Sequence, residues 1–169
     1  ESPSMTDSRA ANPPSPFIDG WVRRLAASRR DGARAMDVAC GRGRHGLLLA
    51  RCGYRTVGLD WQLAALSTLQ AQARAEALPL SLACADLTQM PLPASVFDVV
   101  VVTRYLDRGL FGALQRALQP GGVLLYETFT EHQLRHGRGP TSRAYLLSPG
   151  ELRFAVRGMD VLDDEEVKI

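Results

Sequence analysis

The chain has no apolar run near the ~20 residues a membrane-spanning helix needs, so no membrane segment is expected. No charged start followed by an apolar stretch appears, and no secretory leader is expected. Cysteine is scarce. Cys40, Cys52 and Cys84 are odd in number and have neither paired nor metal-ligand spacing. That argues against a disulfide framework and a cysteine metal site, and favours a reducing cytoplasmic setting with each cysteine a small buried residue. Lysine is nearly absent, Lys168 being the only one. Aromatics are only 7% of the chain, too few for a base-stacking platform, and the net charge is just +2. The arginines are scattered, with local pairs at Arg23-Arg24 and Arg29-Arg30 that read as the solvated face and C-terminal end of a helix. A nucleic-acid partner is therefore not expected. No internal repeat is visible.

What remains is an ordinary globular composition. The chain has 169 residues and is 46% hydrophobic, enough for one packed domain. Residues 1–14, rich in Ser, Pro and Ala, are expected to be a disordered tail, with Met5 as a native start after four extraneous residues. The domain is expected to run from 15 to 169. Ser15-Pro16 reads as an N-cap followed by proline at the first helical position, with Phe17, Ile18, Trp21, Val22 and Leu25 at helical spacing.

From there strand and helix patterns alternate. Strands are expected at 33–38, 56–59, 80–83, 97–102, 123–126 and 161–162, and helices at 46–52, 63–77, 110–118 and 151–157. FDVVVV, residues 97–102, is apolar and β-branched on consecutive positions, as in a parallel strand buried on both faces. Ser148-Pro149-Gly150-Glu151 has the form of a capping box. The alternation predicts an α/β fold, a doubly wound and mostly parallel sheet with ligands at the carboxyl ends of its strands.

The first strand leads into DVACGRGRHG, residues 37–46, with Gly41, Gly43 and Gly46 at G-x-G-x-x-G spacing. Such glycines let backbone approach a ligand at a helix N-terminus, or else merely form a tight turn. Asp37 would repel a pyrophosphate and suits a ligand carrying ammonium or sulfonium charge; alternatively it only orients the loop. Asp60, closing TVGLD, can accept from both ribose hydroxyls, cap the next helix, or do both. Asp86, in LACADL, can accept from an adenine amino group beside the Leu87 amide, or serve as a turn residue.

These motifs resemble the class I S-adenosylmethionine-dependent methyltransferases. DVACGRG resembles that family's glycine loop, Asp60 its ribose acid, Asp86 its adenine motif, FDVVVV its fourth strand, and LQPGGVLLYET its turn and fifth strand. The resemblance runs over residues 33–165 in matching order. It implies a Rossmann-like class I methyltransferase fold and S-adenosyl-L-methionine as cofactor. Asp37, Ala39, Gly41, Gly43, Asp60, Trp61, Asp86 and Leu87 are its implied binding residues, and Thr103 lies at the seam between cofactor and acceptor. The short length and the GRH tripeptide resemble, more narrowly, the small tellurite-resistance-like branch.

Methyl transfer is a displacement on an activated carbon, so no fixed catalytic triad is expected. Thr103-Arg104-Tyr105-Leu106 stands where amino-methylating members carry an Asn- or Asp-Pro-Pro-aromatic motif, which argues against exocyclic amine acceptors. Arg104 could clamp an anionic acceptor or form a surface ion pair. Glu127, His132 and His136 are candidate bases; the two histidines, four apart, could share a helical face, but further metal ligands are not found and no metal is expected. Residues 130–147 read as a lid, with Arg135, Arg138, Arg143 and Tyr145 lining either an acceptor pocket or its solvent face. After 161–162 only DDEEVKI remains, so the family's final antiparallel strand is expected to be missing. Either the chain stops early or a partner, such as a second copy pairing through the incomplete sheet, supplies that strand. The leading expectation is methyl transfer to a small molecule. The alternatives are a non-catalytic cofactor-binding module or partner subunit and, further off, an NAD-dependent dehydrogenase.

Overall fold

The computed structural model describes residues 12–137 and 139–167. The expected disorder of residues 1–11, Arg138 and Lys168 lie outside them. The elements run α1 (Pro16–Ala26), β1 (Arg34–Val38), α2 (Arg44–Arg51), β2 (Arg55–Asp60), α3 (Leu63–Ala75), β3 (Leu80–Cys84), β4 (Phe97–Thr103), α4 (Phe111–Ala117), β5 (Leu118–Glu127) and α5 (Glu151–Ala155). Two 3-10 turns, Glu131–Arg135 and Arg143–Tyr145, lie between β5 and α5.

All five strands are parallel, in the order β3-β2-β1-β4-β5. The order reverses between β1 and β4, so the crevice beyond their carboxyl ends is the ligand position of such a sheet. The strand alternation explains why FDVVVV is apolar throughout. Val100 and Val102 pack with Met36, Val38 and Leu114 on one face, while Val99 and Val101 pack with Ile18, Val22 and Leu49 on the other. Val99 to Val102 are 0–2% exposed, and removing each from water contributes roughly 1.5 kcal/mol or more. Asp37 shares its face with Ala35 and points toward the α1 and α2 side.

Several expectations are corrected. No strand forms at Val161-Leu162: the segment is extended but unpaired, with Leu162 66% exposed. It follows the hollow along the outer side of β5, tethered by the Trp21 indole donating to Asp163 (2.9 Å) and by an Arg153–Asp164 ion pair. The outer edge of β5 is unpaired among the described residues. Ser15 precedes α1, yet its hydroxyl caps no amide and donates to Glu127 instead. At α5 the capping box is half made: Glu151 accepts from the Ser148 amide (2.8 Å), but no side chain caps the helix start. Only Arg23 and Arg24 belong to α1. Arg29 and Arg30 lie past its end and pin the next turn to the Cys52 carbonyl (2.9 Å) and to Asp98 (2.8 Å). Cys84, expected to be buried, is exposed.

Candidate functional site at the carboxyl ends of the strands

The loop from β1 to α2 turns through three left-handed residues. Ala39 has φ 54°, Gly41 φ 53° and Gly43 φ 76°. At Gly43 the need for glycine is also steric, since a Cβ would stand 2.2 Å from Leu69 Cδ2. Gly43 stops the loop and starts α2 at Arg44, two residues before the helical pattern of the sequence suggests.

Asp60 holds this turn from the end of β2. Its Oδ2 accepts from the Gly41 amide (2.7 Å) and its Oδ1 from the Gln62 amide (2.9 Å). It therefore orders the glycine loop and the entry to α3 together. Each oxygen keeps a second acceptor site. Asp60 opens onto a cavity of about 450 Å³, on the scale of small-ligand pockets. Ala39, Trp61, Asp86, Leu87, Arg104 and Tyr105 also line it. Asp86 accepts from the Thr88 amide and hydroxyl through Oδ1 (2.9 and 2.7 Å), bonds that hold its carboxyl below the usual range and leave Oδ2 free. Trp61 is 73% exposed at the mouth.

Asp37 lies outside the lining. It is 1% exposed and tucked beneath the start of α2, where Oδ2 has no hydrogen-bond partner among the described residues. Burial pushes its carboxyl up to about 7, against the opposing pull of the Gly46 amide and the Arg44 charge.

A second polar group stands at the ends of β4 and β5; the sequence pointed to its Thr103, Arg104 and Glu127 but not to Ser15, Arg44 or His45. His45 is 2% exposed. Its Nε2 accepts from the Ser15 amide (3.1 Å) and its Nδ1 meets Thr103 Oγ1 (3.2 Å). The Ser15 hydroxyl donates to Glu127 Oε2 (2.5 Å). Arg44, beside His45 in α2, donates to the Pro13 carbonyl (3.0 Å), so the chain ahead of α1 is laid across this end of the sheet. Burial, aided by the Arg44 and Arg104 charges, pushes the imidazole down to about 4. Arg104 has φ 54°, a strained conformation for a residue with a Cβ, held by its amide donating to the Glu127 carbonyl (2.8 Å). The structure thus brings Thr103, Arg104 and Glu127 together with Ser15, Arg44 and His45.

His132 is not brought to this group. It pairs with Glu166 (2.5 Å) in the outer loop and is half exposed. The segment around it is a 3-10 turn, which has three residues per turn, so His132 and His136 share no face. In the expected lid, Arg143 pairs with Glu131 (3.4 Å) and Tyr145 is exposed. Arg108 holds the lid's far end through Glu151 and the Ala144 and Leu146 carbonyls (both 2.9 Å).

Residues 35–122, just over half of the chain, match the family model described as a methyltransferase domain. YqeM of Bacillus subtilis, described as a methyltransferase, is 27% identical over 125 residues, covering 69% of this chain and 50% of that protein. The malonyl-acyl-carrier-protein O-methyltransferase of Herminiimonas arsenicoxydans is 34% identical over 115 residues, covering 64% and 43%. The chain thus spans about half the length of the curated relatives it matches. The crystal structure of TehB from Haemophilus influenzae superposes with a TM-score of 0.72 over 88% of this chain and 53% of that one; at 20% identity this is a likeness of fold. The match to the family model covers more than half of the chain, and the chain belongs to the methyltransferase-domain family.

Proposed function

We propose that this domain transfers a methyl group from S-adenosylmethionine to a small-molecule acceptor. The observation that carries the reading is the Asp60 crevice. Its carboxylate ties down the glycine loop while keeping two acceptor sites open toward the cavity, as a ribose diol requires. Asp86 keeps one oxygen free, and among the described residues no hydrogen-bond partner engages the Leu87 amide. Together they offer an acceptor and a donor to the edge of an adenine. These groups fit an adenosine ligand. When bound, S-adenosylmethionine supplies a methyl carbon already activated on a sulfonium. The chain's own part is to hold the ligand at the strand ends, keep water out and align an acceptor.

Calorimetric titration of the purified protein with S-adenosylhomocysteine, and separately with NAD, tests the reading. Saturable binding of the first and none of the second is expected. Preferential binding of NAD would replace methyl transfer with dehydrogenase chemistry.

A further inference from the structure

We propose that Tyr126 and His45 are positioning residues, which from outside the crevice hold the turn after β4 in the shape that completes the cofactor site. The proposal rests on the methyl-transfer reading above and adds residues to the same site.

The crevice is walled by the ends of four neighbouring strands. Asp86 lies past β3, Asp60 closes β2, Ala39 follows β1, and Arg104 and Tyr105 follow β4. In the sheet order the last two stand across β1 from Asp60. The width of the crevice therefore depends on where the β4 turn sits.

That turn does not hold itself. Arg104 has φ 54°, a left-handed conformation that a residue with a Cβ leaves when it is free to do so. Contacts from other elements oppose this, one on each of three successive residues. Thr103 Oγ1 meets His45 Nδ1 of α2 (3.2 Å). The Arg104 amide donates to the Glu127 carbonyl (2.8 Å), and the Tyr105 carbonyl accepts from the Tyr126 hydroxyl (2.7 Å). The middle bond is backbone to backbone and continues the β4–β5 ladder. The two flanking bonds come from side chains, so they depend on which residues the sequence places there.

Each of those side chains is itself oriented. His45 Nε2 accepts from the Ser15 amide, which can only donate, so that nitrogen bears no hydrogen. The ring hydrogen therefore sits on Nδ1 and is donated to Thr103. The Tyr126 ring packs against Phe111 with centroids 5.2 Å apart, a contact that a phenylalanine would also make. The Tyr126 hydroxyl adds to that packing only its bond to the turn. Neither Tyr126 nor His45 lines the crevice. Both act through Thr103 and Tyr105. A site whose competent shape is populated only part of the time binds more weakly by that fraction. Releasing either clamp lets Arg104 relax and shifts the wall, so affinity falls while the fold stays.

The test joins two measurements on the purified protein. One is hydrogen exchange of the Arg104 amide, followed by NMR without ligand. The other is calorimetric titration with S-adenosylhomocysteine. Tyr126→Phe should speed exchange of the Arg104 amide roughly fivefold and weaken binding by a similar factor. His45→Ala should do the same. His45→Gln, which can still accept from Ser15 and donate to Thr103, should restore both values. Val99→Ala, a cavity at the buried amino end of β4, should lower overall stability and leave both values as in the parent. A Tyr126→Phe protein whose Arg104 amide exchanges at the parent rate overturns the proposal. Faster exchange with unchanged affinity overturns the part of the turn in the site. Equal losses in Val99→Ala reduce both residues to general packing and overturn it too. If the parent binds no S-adenosylhomocysteine, the methyl-transfer reading falls, while the exchange rates of the free protein still decide whether Tyr126 and His45 hold the turn.

Discussion

Asp60→Ala is expected to abolish measurable binding of S-adenosylhomocysteine, a loss of at least about 100-fold, while leaving a folded protein. Two effects combine. The variant removes the carboxylate oxygens that would accept from the ribose, and charge-assisted hydrogen bonds of this kind contribute roughly 1.5–3 kcal/mol each. It also orphans the Gly41 and Gln62 amides, freeing the glycine loop and the entry to α3 that Asp60 now ties together. Since Asp60 is 6% exposed, those amides lose partners in a largely dry place, and a stability loss on the order of 1–3 kcal/mol should accompany the binding defect. Asp60→Asn should be nearly as poor a binder, because its amide nitrogen must face one of the two backbone N–H donors. Calorimetry on both variants, with circular dichroism to confirm folding, checks this. Retention of affinity by Asp60→Ala within threefold would remove Asp60 from the site.

Asp37→Asn is expected to change how stability depends on pH. The Asp37 carboxyl is raised from its ordinary range to about 7 because it is buried with an unpartnered oxygen. In the unfolded chain it ionises near pH 4. Between pH 4 and 7 the folded state therefore holds a proton that the unfolded state has released, so this residue makes stability fall as pH rises across that window and level off above it. A shift of about three units corresponds to about 4 kcal/mol as an upper figure. Carboxyls held below their ordinary range, such as Asp98 and Glu151, act in the opposite direction, so the quantity to read is the difference between parent and variant. Urea unfolding at pH 5 and pH 8 should show Asp37→Asn gaining on the parent by a few kcal/mol at the higher pH. A difference that does not change with pH would mean that Asp37 is ionised in the fold or reaches solvent.

The features that could be read from sequence are those set by local period and backbone need. FDVVVV announces a strand buried on both faces, and β4 is one. Three glycines between a strand and a helix announce a turn with left-handed residues, and Gly41 and Gly43 supply it. Asp60 and Asp86 follow their strands, and strand ends in a parallel sheet converge on one crevice. What could not be read depends on partners distant in the chain. His45 gains its role from Ser15, 30 positions away, and from Thr103, 58 positions away. Nothing in the GRH tripeptide specifies either contact. The 161–162 segment misled for the opposite reason. Two apolar residues suggested a strand, but Asp160, Asp163 and Asp164 around them keep the segment in water, where Trp21 and Arg153 hold it beside β5 without pairing.

The central claim is that this crevice serves methyl transfer, and the most direct measurement follows the methyl group itself. The purified protein would be incubated with S-adenosylmethionine labelled at the methyl carbon and with small carboxylic acids, phenols, thiols and amines in separate reactions. The account predicts label in an organic product and none with Asp60→Ala. If a folded protein that binds S-adenosylhomocysteine moves no label to any of these acceptors, the methyl-transfer account is contradicted, and the crevice binds the cofactor without using it.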